Sequence, residues 1–126
     1  MCLLCLFSLI GSSSHGRRLC DFVTAVYKVT RAFPKEEMYG VTSQLRRAAV
    51  SIPSNVAEGQ GRQTTGEFRQ FLGHARGSLL ETETQILLSE RLEYLDQKTT
   101  EMLIKQSAEL GRILNGLIRS LEKSCR

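Results

Sequence analysis

Residues 33–62 combine a helical apolar stripe with a proline in its interior. Pro34 is suited to open a helix here, and Gly59 is suited to end it. Pro53 removes one backbone N–H and crowds the preceding turn, at a cost of about 3 kcal/mol in a helix interior. The sequence therefore predicts a helix over about residues 35–58 in which a kink or short polar side chains compensate for the proline. Apolar residues at steps of three and four form its inward face: Met38, Val41, Leu45, Ala49, Ile52 and Val56.

Three further segments have helical periodicity. The first spans about residues 17–32, the third follows a capping box formed by Thr64 and Glu67, and the last spans about residues 97–123. The connections are short, so consecutive helices are expected to be antiparallel neighbours. A chain of 126 residues is long enough for one compact domain. We therefore expect an all-α fold, an antiparallel up-down four-helix bundle over residues 17–126, with residues 1–16 as a non-core N-terminal tail. The expected inward residues are Leu19, Phe22, Val23, Val26 and Val29 in the first helix, Phe68, Phe71, Leu72, Ala75, Leu79, Ile86 and Leu87 in the third, and Leu103, Ser107, Leu110, Leu114, Leu117 and Leu121 in the last.

Residues 44–62 read QLRRAAVSIPSNVAEGQGR. This string resembles the hallmark of the 23S rRNA intervening-sequence protein family, and the resemblance extends from about Val26 to past Leu95. It implies a non-catalytic four-helix bundle that forms a homo-oligomer and has a nucleic-acid or ribonucleoprotein partner. A similar protein, the accessory variability determinant of diversity-generating retroelements, is a basic pentamer, which implies a pentamer here and a reverse transcriptase as a further partner. The residues of the family signature are Pro53, Asn55, Glu58 and Gly59; a structural role in satisfying the disturbed backbone competes with ligand recognition at Asn55 and Glu58.

Charged residues follow a seven-residue spacing in the last two helices. The net charge of the whole chain is only +4, but an up-down topology gathers nine cations and four anions at one end of the molecule. The cations are Arg17, Arg18, Arg62, Arg69, Arg76, Arg112, Arg119, Lys123 and Arg126, and the anions are Asp21, Glu58, Glu67 and Glu122. Guanidinium groups match phosphate oxygens and stay protonated, so an arginine-rich end suits phosphate contacts that weaken with salt. The two series are Arg62, Arg69, Arg76, Glu83 and Glu90 in the third helix, and Lys98, Lys105, Arg112, Arg119 and Arg126 in the last.

The pattern favours structured RNA as the partner, because three scattered tyrosines offer no stacking platform for single strands. A solvated charged face is the competing interpretation of the same pattern. Contact with an acidic protein or a neighbouring protomer is a further alternative for Arg46 and Arg47. The candidate nucleic-acid-binding residues are Arg46, Arg47, Arg62, Arg69, Arg76, Arg112 and Arg119.

The sequence is also compatible with two other functional classes, a protein scaffold and a ribonuclease. A protein scaffold for a reverse transcriptase shares each of these features except the need for RNA. Arg69 and His74 have a spacing that resembles the catalytic motif of HEPN-type ribonucleases, but a regular helix places them about 140° apart. The Glu-x-x-His pairs of di-iron bundles are absent, since no glutamate stands three residues before His15 or His74. No catalytic residue is therefore expected.

The four cysteines lack the spacing of a zinc site, so we expect reduced thiols, no metal and no cofactor.

Residues 1–16 resemble a short signal-peptide core, but no Lys or Arg precedes the apolar run, and that run is too short to span a bilayer. Secretion is the alternative to the expected cytoplasmic location. No membrane partner is expected.

Overall fold

The computed structural model describes residues 14–124. Within this range the chain forms four α-helices and no strand, which confirms the all-α prediction. The helices are α1 (Ser14–Thr30), α2 (Val41–Gln60), α3 (Thr65–Arg91) and α4 (Gln97–Ser124), and a 3-10 turn, Lys35–Glu37, lies between α1 and α2. α1 begins three residues before the predicted position, whereas α4 begins at the predicted residue. The expectations for residues 1–13 and 125–126 lie outside the described residues.

The second predicted helix is interrupted before Val41. The Glu37 carboxylate accepts a hydrogen bond from the Val41 N–H at 3.0 Å, which satisfies a first-turn amide and starts α2 there. Met38 is 56% exposed. The prediction of a single helix over residues 35–58 with Met38 on its inward face is therefore wrong, because a side-chain cap begins a new helix at Val41.

Glu37 also connects this turn to the segment between α3 and α4. Its second carboxylate oxygen accepts a hydrogen bond from the Tyr94 hydroxyl at 3.0 Å, and this bond raises the pKa of the Tyr94 phenol. The Tyr94 ring packs against Phe33, with 5.5 Å between the ring centroids. A single carboxylate therefore joins two connections that are distant in the sequence.

The core contains apolar residues from all four helices. The periodicity located most of them correctly. Leu87 is an exception at 51% exposure, because it follows Ile86 by about 100° around α3 and Ile86 occupies the inward position. The largest fully buried apolar side chains are Phe22, Val26, Leu45, Ile52, Leu72, Ile86, Leu103, Leu110 and Leu114.

Polar contacts between helices fix their register. Two hydrogen bonds join α2 to α3, two join α3 to α4, and one ion pair joins α1 to α4. Gln44, near the start of α2, contacts Gln85 near the end of α3, whereas Ser51 and Ser78 lie at the middle of their helices. The contacts are Gln85 to Gln44 and Ser51 to Ser78, Arg76 to Asn115 and Ser107 to Glu83, and Arg18 to Glu109.

Pro53 lies within α2, which is continuous from Val41 to Gln60. The Asn55 amide donates hydrogen bonds to the Ser51 carbonyl at 2.8 Å and to the Ser51 hydroxyl at 2.9 Å. The Ser51 hydroxyl in turn lies 2.9 Å from that of Ser78 in α3. The predicted bond from a short polar side chain to the nearby backbone is present at Asn55, but its acceptor is the Ser51 carbonyl and not the Ala49 carbonyl that Pro53 leaves without its usual donor. The same bonds tie the proline turn to the neighbouring helix.

The residue that ends α3 has a left-handed backbone conformation. Glu93 has a φ of 65°, and the amides of Glu93 and Tyr94 bond back to the carbonyls of Glu90 and Ser89, which is a Schellman cap. α4 then starts at once, because the Asp96 carboxylate accepts from the Thr99 N–H at 2.7 Å. Hydrogen bonds from the side chain and the backbone of Thr99 hold the pKa of the Asp96 carboxyl below its ordinary value.

We expect Glu93→Gly to raise the free energy of unfolding by about 1 kcal/mol, because glycine adopts positive φ without the steric cost of a Cβ. Urea denaturation followed by circular dichroism measures the change. Glu93→Ala is the control, since it removes the carboxylate but keeps the Cβ, and its stability should lie within about 0.5 kcal/mol of wild type. Equal stabilisation by both variants would attribute the gain to lost charge rather than to backbone conformation.

Candidate nucleic-acid interface

Four arginines lie on adjacent outer faces of α3 and α4. The Arg76 guanidinium donates to the Asn115 side-chain oxygen at 3.1 Å. Asn115 follows Arg112 by three residues and precedes Arg119 by four, so these positions share one face of α4. Arg69 lies two turns before Arg76, about 10.5 Å along the α3 axis. The four residues, here called the arginine surface, are Arg69, Arg76, Arg112 and Arg119; each is exposed.

The arginine surface keeps its charge uncompensated among residues 14–124, where no carboxylate forms an ion pair with any of its four members. Two arginines at the edge of this surface, in contrast, form ion pairs with carboxylates. Arg18 pairs with Glu109, and Arg62 pairs with Glu58 at 3.0 Å. The ion pair between Arg18 and Glu109 could not be predicted from the sequence, since a contact between residues 18 and 109 depends on tertiary packing.

Arg62 is further held by the start of α3. Its guanidinium lies 4.7 Å from the centroid of the Phe71 ring, a cation–π contact. The side chain remains exposed, with 44% of its surface accessible to solvent. Arg62 therefore extends the arginine surface toward the α2–α3 connection, but part of its charge is already compensated by Glu58.

Arg46 and Arg47 lie away from the arginine surface, on α2. The Arg46 guanidinium stacks over the Tyr27 ring at 4.7 Å, and its Nε donates to the Thr30 hydroxyl at 2.8 Å. Arg46 thus fastens α2 to the end of α1. Arg47 is exposed and lines a shallow groove of about 400 Å³ with Gln44, Ala48, Ser51 and Glu81.

Arg69 and His74 are not brought together within one chain. α3 is unbroken from Thr65 to Arg91, so the two side chains leave the helix about 140° apart. The His74 ring instead makes an edge contact with Phe71, at 5.8 Å between centroids. The irregular backbone that joint chemistry within one chain would require does not occur at this position.

The signature residues have structural contacts. Asn55 bonds Ser51, and Glu58 pairs with Arg62. Gly59 is buried inside α2 rather than ending it, since the helix continues to Gln60 and Gly61 forms the cap. A Cβ on Gly59 would lie 2.8 Å from Phe71 Cβ and from Phe68 Cδ2. Gly59 is therefore required because α3 approaches closely, and the prediction that it stops the helix is wrong.

Asn115 is the polar neighbour that the sequence analysis missed. It contributes no charge to the seven-residue series, and only the register of α3 against α4 places it beside Arg76.

Across residues 14–124, no three His, Cys, Asp or Glu side chains approach closely enough to hold a metal ion. Over the same range, no helix combines the length and the hydropathy that crossing a membrane requires.

Residues 17–116 match the family model described as 23S rRNA-intervening sequence protein. No curated protein matches the chain. A crystal structure of a protein with unknown function from the S23 ribosomal protein family of Bacteroides thetaiotaomicron VPI-5482 has a similar fold, with a TM-score of 0.75 and 22% sequence identity. The alignment covers 81% of this chain and 95% of the other. Because the family model spans most of its length, the chain belongs to the 23S rRNA-intervening sequence protein family.

Proposed function

We propose that this protein is a non-catalytic bundle that binds structured RNA through the arginine surface. The observation that carries the proposal is the convergence of four exposed arginines without a paired carboxylate among the described residues. Guanidinium groups recognise phosphate oxygens through fixed pairs of N–H donors. In an RNA duplex the backbone phosphates and 2′-hydroxyls are more accessible than the base edges of the major groove. Shape and phosphate contacts therefore suit this surface better than base recognition.

The proposed bundle is antiparallel and up-down. Gln44 and Arg46, near the start of α2, bond Gln85 near the end of α3 and Thr30 at the end of α1, which supports this arrangement. The two contacts between α3 and α4, Arg76 with Asn115 and Glu83 with Ser107, also run in opposite order along the two helices. This arrangement places the start of α1, the α2–α3 connection and the end of α4 together. The arginine surface then continues to the bundle end that carries Arg17 and Arg62.

We place the protein in the cytoplasm as a homo-oligomer, for which the retroelement relative implies five copies. A non-catalytic role is supported by the separation of Arg69 from His74 along α3. Binding by shape and charge needs neither a cofactor nor a metal.

The test is a salt titration of a labelled 23S ribosomal RNA fragment, beside a duplex DNA of equal length. We expect Arg112→Glu/Arg119→Glu to weaken RNA binding about tenfold at low salt and to reduce the slope of log K against log salt by about two, because two phosphate contacts are lost. Both positions are exposed on α4, so the fold should be retained.

The matched control is Lys98→Glu/Lys105→Glu, which makes the same change in net charge on the same seven-residue series of α4. It should leave the RNA affinity within about twofold, because Lys105 and Lys98 lie about 10.5 Å and about 21 Å before Arg112 along the helix axis, a Debye length or more. Equal losses in both variants would indicate a general charge effect and contradict a localised surface. Binding that is absent, or unchanged in the Arg112/Arg119 variant, would leave a scaffold for a protein such as a reverse transcriptase as the better account.

A further inference from the structure

An apolar groove opens at the end of the bundle where α2 ends and α3 begins. It has a volume of about 380 Å³, and its walls come from α2, α3, α4 and the connection between α2 and α3. Phe68, Leu117 and Leu121 supply its large apolar side chains, and each of them is only partly buried against the core. None of the described residues that line it belongs to α1. This groove, here called the end groove, therefore lacks a wall from one of the four helices.

The end groove suits an occupant without charge. Among the described residues that line it, Arg62 alone is charged, and its guanidinium already pairs with Glu58 at 3.0 Å. A phosphate group would have to compete with that carboxylate. The side-chain oxygen of Gln60, another lining residue, is buried and has no hydrogen-bond donor. A matching occupant is therefore apolar and uncharged, and it brings at least one N–H or O–H group to the groove.

The sequence that precedes α1 has this composition. Residues 1–13 read MCLLCLFSLIGSS and contain no Asp, Glu, Lys or Arg. Six large apolar side chains lie within residues 3–10, and residues 11–13 add backbone amides and two serine hydroxyls. Covering such an apolar run removes it from water, which is favourable. The segment thus offers both the apolar surface and the hydrogen-bond donors that the end groove needs.

The start of α1 lies beside the end groove. Leu117 also lines a second groove, together with His15 and Arg18 in the first turns of α1. The two grooves are therefore separated by little more than one side chain. Residues 11–13 span about 10 Å when extended, which is about the diameter of a helix. Glycine and serine at these positions also allow the chain to turn, so residues 3–10 are within reach of the end groove.

From this match of polarity, position and reach we infer that residues 3–10 fold back into the end groove of their own chain and cover Phe68, Leu117 and Leu121. The segment then supplies the missing wall and belongs to the core, in contrast to the non-core tail expected from the sequence. The segment lies outside the range matched by the family model, residues 17–116, so the family resemblance does not predict this contact. The contact uses none of the four residues of the arginine surface and sets no limit on the number of copies. It is therefore independent of RNA binding and of oligomer formation.

Cross-linking tests where the segment lies. In a full-length chain whose other cysteines are serine, Cys5 is the single thiol of the segment, and Gln63→Cys adds a second thiol beside the end groove. A short bismaleimide should link the two thiols within one chain at least about tenfold faster than in the Gln70→Cys chain, because docking raises their effective concentration. Gln70 is the matched control, an exposed glutamine on α3 that does not line the groove. Equal rates at the two positions would overturn the inference, and so would a link that joins two different chains.

A fluorescent side chain tests burial of the segment without cross-linking. The chain contains no tryptophan, so Phe7→Trp places a single indole in the segment. In the folded protein its emission should be shifted to the blue of its emission in urea, and iodide should quench it weakly, because the groove removes the ring from water. Adding Leu121→Lys should shift the emission to the red at equal helicity, since it places a charge in the groove, whereas Leu121→Met should not.

Three results of the fluorescence experiment would refute the inference. The first is an indole that iodide quenches as strongly in the folded protein as in urea. The second is an emission that Leu121→Lys leaves unchanged, because the ring would then be buried elsewhere. The third is a purified protein whose mass shows that residues 1–13 have been removed, as secretion would require.

Discussion

Replacing Pro53 with alanine is expected to raise the free energy of unfolding by about 1 to 2 kcal/mol. A proline inside a helix removes the N–H that would bond the carbonyl four residues earlier, which is that of Ala49, at a cost of about 3 kcal/mol. Alanine restores this bond. Part of the gain is offset, because proline also limits the conformations of the unfolded chain, worth about 0.4–1 kcal/mol, and because Pro53 is half-buried. Urea denaturation with equal m-values measures the difference.

Ser54→Ala is the control for Pro53→Ala, since Ser54 is the exposed neighbour on the same turn of α2. Its stability should stay within about 0.5 kcal/mol of wild type. The sign of the change in unfolding free energy for Pro53→Ala distinguishes two roles of the proline. A loss of stability would mean that the bonds from Asn55 to Ser51, and from Ser51 to Ser78, require the backbone that proline imposes. The proline would then be a part of the α2–α3 contact and not a compensated defect.

Helix number and most of the core could be predicted from the sequence because apolar periodicity records which residues face inward. Phe22, Leu45, Leu72 and Leu103 follow that periodicity and are buried as predicted. Periodicity does not record how far around the helix the neighbours extend. Leu87 continues the pattern but lies at the edge of the inward face, so it is exposed.

The start of α2 was harder to predict, because the side chain that caps it is itself held by a residue distant in the sequence. Glu37 starts α2 by accepting from the Val41 amide, and its position is also held by Tyr94, 57 residues later. Apolar periodicity alone continues the helix through Met38, because it takes no account of a carboxylate that caps the amide four residues later. A carboxylate that caps one helix while accepting a bond from another connection becomes visible only in the fold.

At the candidate site, too, the sequence predicted positions along each helix but not the contacts between helices. Seven-residue spacing predicted that Arg69, Arg76, Arg112 and Arg119 would share two helix faces, and helix geometry is sufficient for that prediction. The spacing did not predict that Glu109 would neutralise Arg18, a pair separated by 91 residues in the chain. Charge patterns along single helices therefore locate the basic surface, but the packing of α1 against α4 decides which arginines remain uncompensated.

Gly59→Ala is expected to lower the free energy of unfolding by about 1–3 kcal/mol, the usual range for overpacking a buried site. The new Cβ would lie 2.8 Å from Phe71 Cβ, an atom fixed to the α3 backbone that cannot move aside independently. Alanine is favoured over glycine by about 1 kcal/mol inside a helix, so any destabilisation is a net effect of crowding. Urea denaturation of the two proteins measures it.

Gly61→Ala separates crowding from backbone freedom. Gly61 caps α2 with a φ of −78°, which alanine adopts readily, and a Cβ there would come no closer than 3.5 Å to the Glu58 carbonyl oxygen. This variant should gain about 0.4–1 kcal/mol, because alanine restricts the unfolded chain. The same substitution two residues apart therefore has opposite expected signs. Stabilisation by both variants would show that α3 can move away from α2 at little cost, and the close approach of Phe68 and Phe71 would then not explain the glycine at position 59.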